Sequence, residues 1–450
     1  MARTIWIKNP LAIWTGNDSD AGGGVVIKDN IIVELVAKGK TPTVIYDETF
    51  DSSECVVLPG LINCHHHLYQ TLTRACPSAL NKDLFPWLRS LYTIWANLDE
   101  EAIYLSSQLG LAELLLSGCT TAADHHYLFP QSVPNAIDIQ VEAAKPLNMR
   151  TLFTRGSMSL SVKDGGLPPD HVVQDHDTIL ADSERVIQRY HQAQEGAMMQ
   201  IALAPCSPFS VTPELMRSSA ELARQYGVRL HTHLGETNDE NDFCLAQFGK
   251  RPVEYLEDVG WLAPDVWLAH GIHFTADEIT KLGHHNVGIS HCPSSNMLLA
   301  SGICHSLALE QAGAIIGLGV DGSASNDGSN MIQELRQALF IQRLKYPASS
   351  ITHQKVFGWA TQGGANIMGR SDIGEIAVGK QADLALFKLD EMRFSGHGDP
   401  LAALLLCGAH KAEHVMVAGN WRVSHGAIND LDIESLMQKH HAKAQQLQFG

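Results

Sequence analysis

The sequence predicts an α/β chain: a (β/α)8 TIM-type barrel carrying a small composite β-sandwich formed by its N- and C-terminal segments. Three observations predict it. Eight apolar, strand-like runs alternate with helical stretches through the middle of the chain. The two ends share a different, β-rich pattern, and the polar residues of the eight runs gather at their carboxyl ends, where barrels of this kind hold their sites.

At the amino end, "TIWIKNP", "GVVIKDNIIVELVA" and "TVIYDETF" read as short strands, the second broken by a turn at Lys28, Asp29 and Asn30. After residue 372 come "ADLALFKL" and "HVMVAGNWRVSHGAI", again strand-like, and then a polar helical tail. The pattern changes near residues 57 and 372, so 1–57 and 372–450 are expected to form the sandwich and 58–371 the barrel.

Within 58–371 and its approach, the eight runs are "CVVLPGLIN", "CTTAADHH", "RTLFTRGS", "QIALAPCS", "VRLHTHLGE", "VWLAHGIH", "VGISHCPSS" and "IIGLGVDGS". Continuous apolar character suits parallel strands covered on both faces. Helices fall between them. "DEEAIYLSSQLGLAELLLSG" has apolar residues at helical spacing behind Asp99 as N-cap, and "TPELMRSSAELARQYG" opens with Thr212 and Pro213 and stops at Gly227. Residues 68–98, after the first run, form a long aromatic excursion of the kind that caps a site.

Composition narrows the function. Of 450 residues, 49 are acidic and 32 are Lys or Arg, a formal net charge of -17 that repels nucleic-acid phosphates and anionic membranes. A small neutral or cationic molecule is the easier partner. No basic start precedes a long apolar region, and no stretch approaches the roughly 18 apolar residues of a membrane span, so a soluble, cytoplasmic protein is expected. Nine scattered cysteines without a CxxC pair fit neither a disulfide framework nor a thiolate zinc ribbon.

The first run ends in "CHHH". Residues two apart on a strand share a face, so His65 and His67 can meet one ion while His66 points away. His233 and Asp321, at the ends of the fifth and eighth runs, supply two more ligands, leaving a position open for water as catalytic zinc requires. Iron or manganese could occupy the same donors. Each residue also has a plainer reading: Asp321 as a turn former before Gly322, Glu236 as a solvated loop carboxylate beside Asp239, Glu240 and Asp242, and His270 as a core histidine. Their joint occurrence at the ends of different strands favours metal-assisted hydrolysis. His125, His126, His231, His273, His284, His285, His291 and His305 have no such collective explanation; His125, ending the second strand, is the one expected in the pocket.

The motifs "PGLINCHHH", "HTHLGE", "LAHGIH", "CPSSNMLLASGI", "GLGVDGSASND" and "DIGEIAVGKQADLALF" resemble the amidohydrolase superfamily, in its branch of cytosine, guanine and adenosine-type deaminases and chlorohydrolases, over nearly the whole length. The resemblance implies one metal ion on His65, His67, His233 and Asp321. Members with two ions use a lysine at the fourth strand, and "QIALAPCSPFS" has none. It also implies that Asp321 takes the proton of an ionising water, that Glu236 protonates the ring nitrogen of a heterocycle, and that His270 hydrogen-bonds the attacking oxygen.

For the substrate, Gln70 offers an amide that can donate and accept against an oxo-purine or oxo-pyrimidine edge. Phe85, Trp87, Tyr92 and Trp95 suit stacking on a planar ring or, equally, packing of the excursion onto the barrel, and Trp95 is carried as a substrate contact. Arg155, ending the third run, could hold a ring oxygen or form an ordinary surface ion pair. "HHHLYQTLTRA", "LYTIWANL" and "TRGSMSLS" look most like 8-oxoguanine deaminases, which implies hydrolysis of that base to urate and ammonia. Guanine, isocytosine and hydroxy-s-triazines are the alternatives. A non-catalytic scaffold would predict a degraded site, and none of the six site residues is missing. A homodimer is expected.

Overall fold

The computed structural model describes residues 3–450. Strands β1 (Thr4–Lys8), β2 (Ala12–Ile13), β3 (Gly24–Lys28), β4 (Ile31–Val36), β5 (Glu48–Asp51) and β6 (Cys55–Pro59) come before the barrel. The barrel strands are β7 (Leu61–Asn63), β8 (Cys119–His126), β9 (Arg150–Ser157), β10 (Met199–Pro205), β11 (Leu230–Leu234), β12 (Val266–His270), β13 (Gly288–His291) and β14 (Ile315–Leu318). β15 (Leu384–Lys388), β16 (His414–Val417), β17 (Asn420–Ser424) and β18 (Ala427–Ile428) follow.

β7 to β14 pair in parallel in chain order, and β14 closes on β7 through Leu318 and Asn63. Every expected run contributes its strand. The first divides: β6 joins an outer sheet, and only the three residues of β7 enter the barrel. β8 and β9 are buried along all their length, as strands with a packed interior on one face and helices on the other must be. Helix Glu100–Leu116 starts at Asp99, whose carboxylate accepts the Ala102 N–H, and helix Pro213–Tyr226 runs from a Thr212 cap to Gly227 at φ 66°.

The other strands form two sheets. One has the order β4-β3-β1-β5 and the other β18-β17-β16-β15-β6-β2. Ile5, Ile7, Val25 and Ile27 of the first pack against Val57, Leu384, Leu386 and Met416 of the second, so both termini build one sandwich core. Of "TVIYDETF" only the last three residues join a strand, Glu48–Asp51; Ile45 is 91% exposed.

The aromatic excursion becomes a short turn, Leu68–Thr73, and a helix, Leu84–Trp95, whose Leu84, Trp87, Leu88 and Tyr92 face the barrel mouth and whose Leu91 and Trp95 are also buried. The carboxyl-terminal helix Ile433–Phe449 braces that turn. His440 Nε2 lies 3.0 Å from Thr71 Oγ1, and the Gln448 amide donates to the Leu72 carbonyl at 2.7 Å. Among the described residues no helix is long and apolar enough to cross a membrane.

Candidate metal centre and active site

At the carboxyl ends of the strands, β7 leads into His65 and His67, β11 carries His233, β12 ends at His270, and Asp321 follows β14. Asp321 Oδ1 lies 3.2 Å from both His65 Nε2 and His67 Nε2, and His67 Nε2 lies 3.1 Å from His233 Nε2. His66, between the first two, turns away to Ser329 Oγ at 2.8 Å.

Hydrogen bonds on the far side of each ring fix what this cluster can bind. His67 Nδ1 donates to the His125 carbonyl and His233 Nδ1 to the Cys206 carbonyl, each at 2.7 Å. On a neutral ring the proton is then on Nδ1, and Nε2 is a lone pair. His65 reaches the same state through a relay: His231 Nδ1 donates to the Trp267 carbonyl at 2.9 Å, so His231 Nε2 accepts from His65 Nδ1 at 2.8 Å. Three lone pairs and a carboxylate oxygen therefore converge with no proton to share, and His65 Nε2 has no hydrogen-bond partner. Such a donor set fits a borderline divalent cation. Burial holds the His65 and His233 rings well below the ordinary imidazole pKa, which keeps them neutral. Burial alone would raise the Asp321 carboxyl, but positive charge on His65, His67 and His270, or on a cation bound among them, outweighs it and holds it well below the usual carboxylate range.

Beside this cluster, Glu236 Oε2 lies 3.5 Å from His270 Nε2, which is 3.8 Å from Asp321 Oδ2. Burial pushes the Glu236 carboxyl up to about 7. His270 moves up as well: burial opposes its charge, but Glu236 and Asp321 more than compensate. Its Nδ1 is oriented by Asn296 Oδ1 at 2.9 Å. Both His270 (φ 75°) and Asp321 (φ 62°) adopt left-handed backbone angles, which non-glycine residues accept mainly where the surroundings demand them.

Glu240 sits behind Glu236. Its carboxylate accepts the N–H of Gly235 at 2.9 Å and of Glu236 at 3.3 Å, closing a turn in which Gly235 has φ 68° and a Cβ would meet Phe274 at 2.5 Å.

A small cavity opens over the cluster. His67, His233, Glu236, His270 and Asp321 form its floor; Leu84, Trp87, Leu88 and Tyr92 of the excursion form an apolar wall, with Gln70 and Tyr127 beside them. Gln70 Oε1 accepts the Ala324 N–H at 3.3 Å, leaving its amide N–H groups to donate. Gly322 leaves room for it, because a Cβ there would lie 1.9 Å from Gln70 Oε1.

Three expected substrate contacts do not reach this cavity. Trp95 is fully buried beneath it, with its indole N–H on Thr73 Oγ1 at 3.1 Å and its ring against Tyr69, Trp87 and Tyr92. Arg155 faces the helix layer, where Asp182, Gln174 and the face of Phe129 occupy its guanidinium. His125 donates from Nε2 to the Ala204 carbonyl at 3.0 Å and stacks on His233 at 4.7 Å; it packs the cluster from behind, close enough to count among possible ligands. Trp87, Leu84, Leu88 and Tyr92 line the wall in place of Trp95.

Comparison with known proteins agrees with this geometry. The "Amidohydrolase family" model matches residues 56–422. An 8-oxoguanine deaminase of Pseudomonas aeruginosa is 62% identical over 450 residues, covering 100% of both chains. A hydroxydechloroatrazine ethylaminohydrolase of Pseudomonas sp. is 40% identical over 75% of this chain and 71% of its own. The crystal structure of an atrazine chlorohydrolase from Arthrobacter aurescens complexed with zinc superposes with a TM-score of 0.91 at 30% identity, covering 99% of this chain and 100% of that one. Closed barrel, composite sandwich, the histidine and carboxylate set and the matched span agree: the chain belongs to the amidohydrolase family.

Proposed function

We propose that this chain is a zinc-dependent aminohydrolase that converts 8-oxoguanine and water to urate and ammonia. One ion would be held by His65, His67, His233 and Asp321. The convergence of three Nε2 lone pairs on the Asp321 carboxylate, beside the buried Glu236 and His270, carries the chemistry. The full-length likeness to an 8-oxoguanine deaminase supports the substrate, and the zinc in the atrazine chlorohydrolase structure supports the metal. Pro205 and Cys206 stand at the end of β10, where a second ion would need a lysine, which favours a single ion.

When bound, the ion supplies a water whose pKa is brought near neutrality. Asp321, held ionised, would take up a proton as water adds to the amine-bearing carbon and pass it to the exocyclic nitrogen, so that the C–N bond breaks and ammonia leaves. His270 points Nε2 into the same space and stabilises charge developing on the attacking oxygen. Glu236, with its carboxyl raised to about 7, holds a proton in roughly half of the molecules at neutral pH and gives it to the ring nitrogen next to that carbon. The Gln70 amide donates to a ring carbonyl, and the wall of Leu84, Trp87, Leu88 and Tyr92 covers the planar face and excludes water.

The test is ammonia release from 8-oxoguanine, guanine, isocytosine and hydroxy-s-triazines by protein of measured metal content. Turnover is expected to be fastest on 8-oxoguanine. Glu236→Gln is expected to lose about 10³-fold or more in kcat with metal content unchanged. Full activity in that variant removes Glu236 from the mechanism, and a preference for triazines replaces the substrate assignment.

A further inference from the structure

We propose that the outer sheet carries a second metal site, formed by Glu413, His414 and His425. Glu413 and His414 lie at the start of β16, and His425 occupies the tight turn between β17 and β18. Glu413 Oε1 is 3.2 Å from His425 Nδ1 and 3.9 Å from His414 Nε2, and the two rings approach to 4.8 Å at 72°. One ligand atom from each residue lies within 4.8 Å of the other two. Ligands about 2.1 Å from a tetrahedral ion stand roughly 3.4 Å from one another, so small side-chain movements bring all three onto one ion.

His414 is the informative member. It is 6% exposed, its ring packs on Phe50 and Trp421, and among the described residues neither ring nitrogen has a hydrogen-bond partner. Its Nε2 points toward the Glu413 carboxylate from beyond hydrogen-bond distance. A cation between them satisfies both. The His425 side chain, 84% exposed, supplies an accessible third donor that can adjust. Two cations lie nearby: Lys388, engaged by Glu54 at 3.0 Å and Asp390 at 3.3 Å, and Lys411, whose amine rests over Gly426. Two imidazoles and one carboxylate with open positions for water select a late divalent transition ion such as Zn2+ over Mg2+ or Ca2+. None of the three residues lines the barrel cavity. The site would pin the 425 turn to β16, apart from the reaction.

The experiment is titration of the isolated holoenzyme with Zn2+ by calorimetry, after its metal content is measured. Wild-type protein is expected to take up one more equivalent than His425→Asn, a replacement that tolerates the turn's φ of 52°. Glu413→Gln is expected to weaken that equivalent at least tenfold, and both variants keep wild-type ammonia release. Counting the difference between proteins reads this site whether or not the barrel holds zinc. Equal uptake by wild type and His425→Asn, or no weakening in Glu413→Gln, overturns the proposal.

Discussion

His231 does for His65 what backbone carbonyls do for His67 and His233: it fixes the tautomer that leaves Nε2 bare. Its ring also stacks on Trp267 at 4.3 Å, so its own place is secured by packing. His231→Phe keeps the stacking and removes the acceptor. Metal affinity in this variant, measured by competition with a chelator, is expected to fall about 10- to 100-fold. Ammonia release at full metal loading is expected to change far less. The sequence shows His231 and His233 as the same alternating motif as His65 and His67, yet one turns its Nε2 into the donor cluster and the other supports it. The difference is depth: two residues nearer the strand start places His231 roughly 7 Å further down the barrel, below the layer where the donors meet. Arg155 was unreadable for a related reason. Its position at a strand end was visible, but in a strand buried on both faces no polar alternation tells which side a residue faces, and Arg155 faces the helices.

At the scale of the element, the turn joining β11 to helix Asn238–Phe248 carries Glu236 and is closed by Glu240. The acidic run 236–242 looks uniformly solvated as sequence. The helix sorts it, placing Asp239 and Asp242 outward and Glu240 inward at 1% exposure. Burial pushes the Glu240 carboxyl from the ordinary 4.5 up to about 8. Between these values the folded protein keeps a proton that the unfolded chain has released. Stability that this group contributes is therefore present below about 4.5 and lost as pH rises toward 8, with a slope on the order of 1 kcal/mol per pH unit. Glu240→Gln, which keeps an oxygen to accept the Gly235 and Glu236 N–H groups, is expected to remove this slope. Urea unfolding at pH 5 and pH 8 checks it: wild type should lose more stability between the two than the variant does. Glu240→Ala also frees the turn and is expected to lower kcat with little change in KM.

Across the whole molecule, alternating runs made the eight strands and their closure legible, because a parallel barrel needs apolar segments repeated between its helices. The fastening of barrel to sandwich was not legible, since it depends on charges hundreds of residues apart. Arg150, at the start of β9, donates to Asp383 at 2.7 and 3.1 Å, to Gln381 at 3.0 Å and to the Gly196 carbonyl at 2.7 Å. Asp383, just before β15, also accepts the Ala418 N–H at 2.8 Å. A second arginine, Arg370, grips Asp372 and shares the Ala197 carbonyl with Arg150. Both partners of the Arg150–Asp383 pair are nearly inaccessible, at 1% and 3% side-chain exposure. Replacing a buried pair by apolar residues can be harmless, but deleting one partner strands the other charge. Arg150→Met is therefore expected to reduce unfolding free energy in urea by about 3–5 kcal/mol, compared at equal metal content. The cavity lies at the opposite end of the strands, roughly 23 Å away for the eight residues of β9. Ammonia release by the folded variant should thus stay close to wild type, and a large fall in kcat with stability unchanged would show that this junction governs the site rather than the fold.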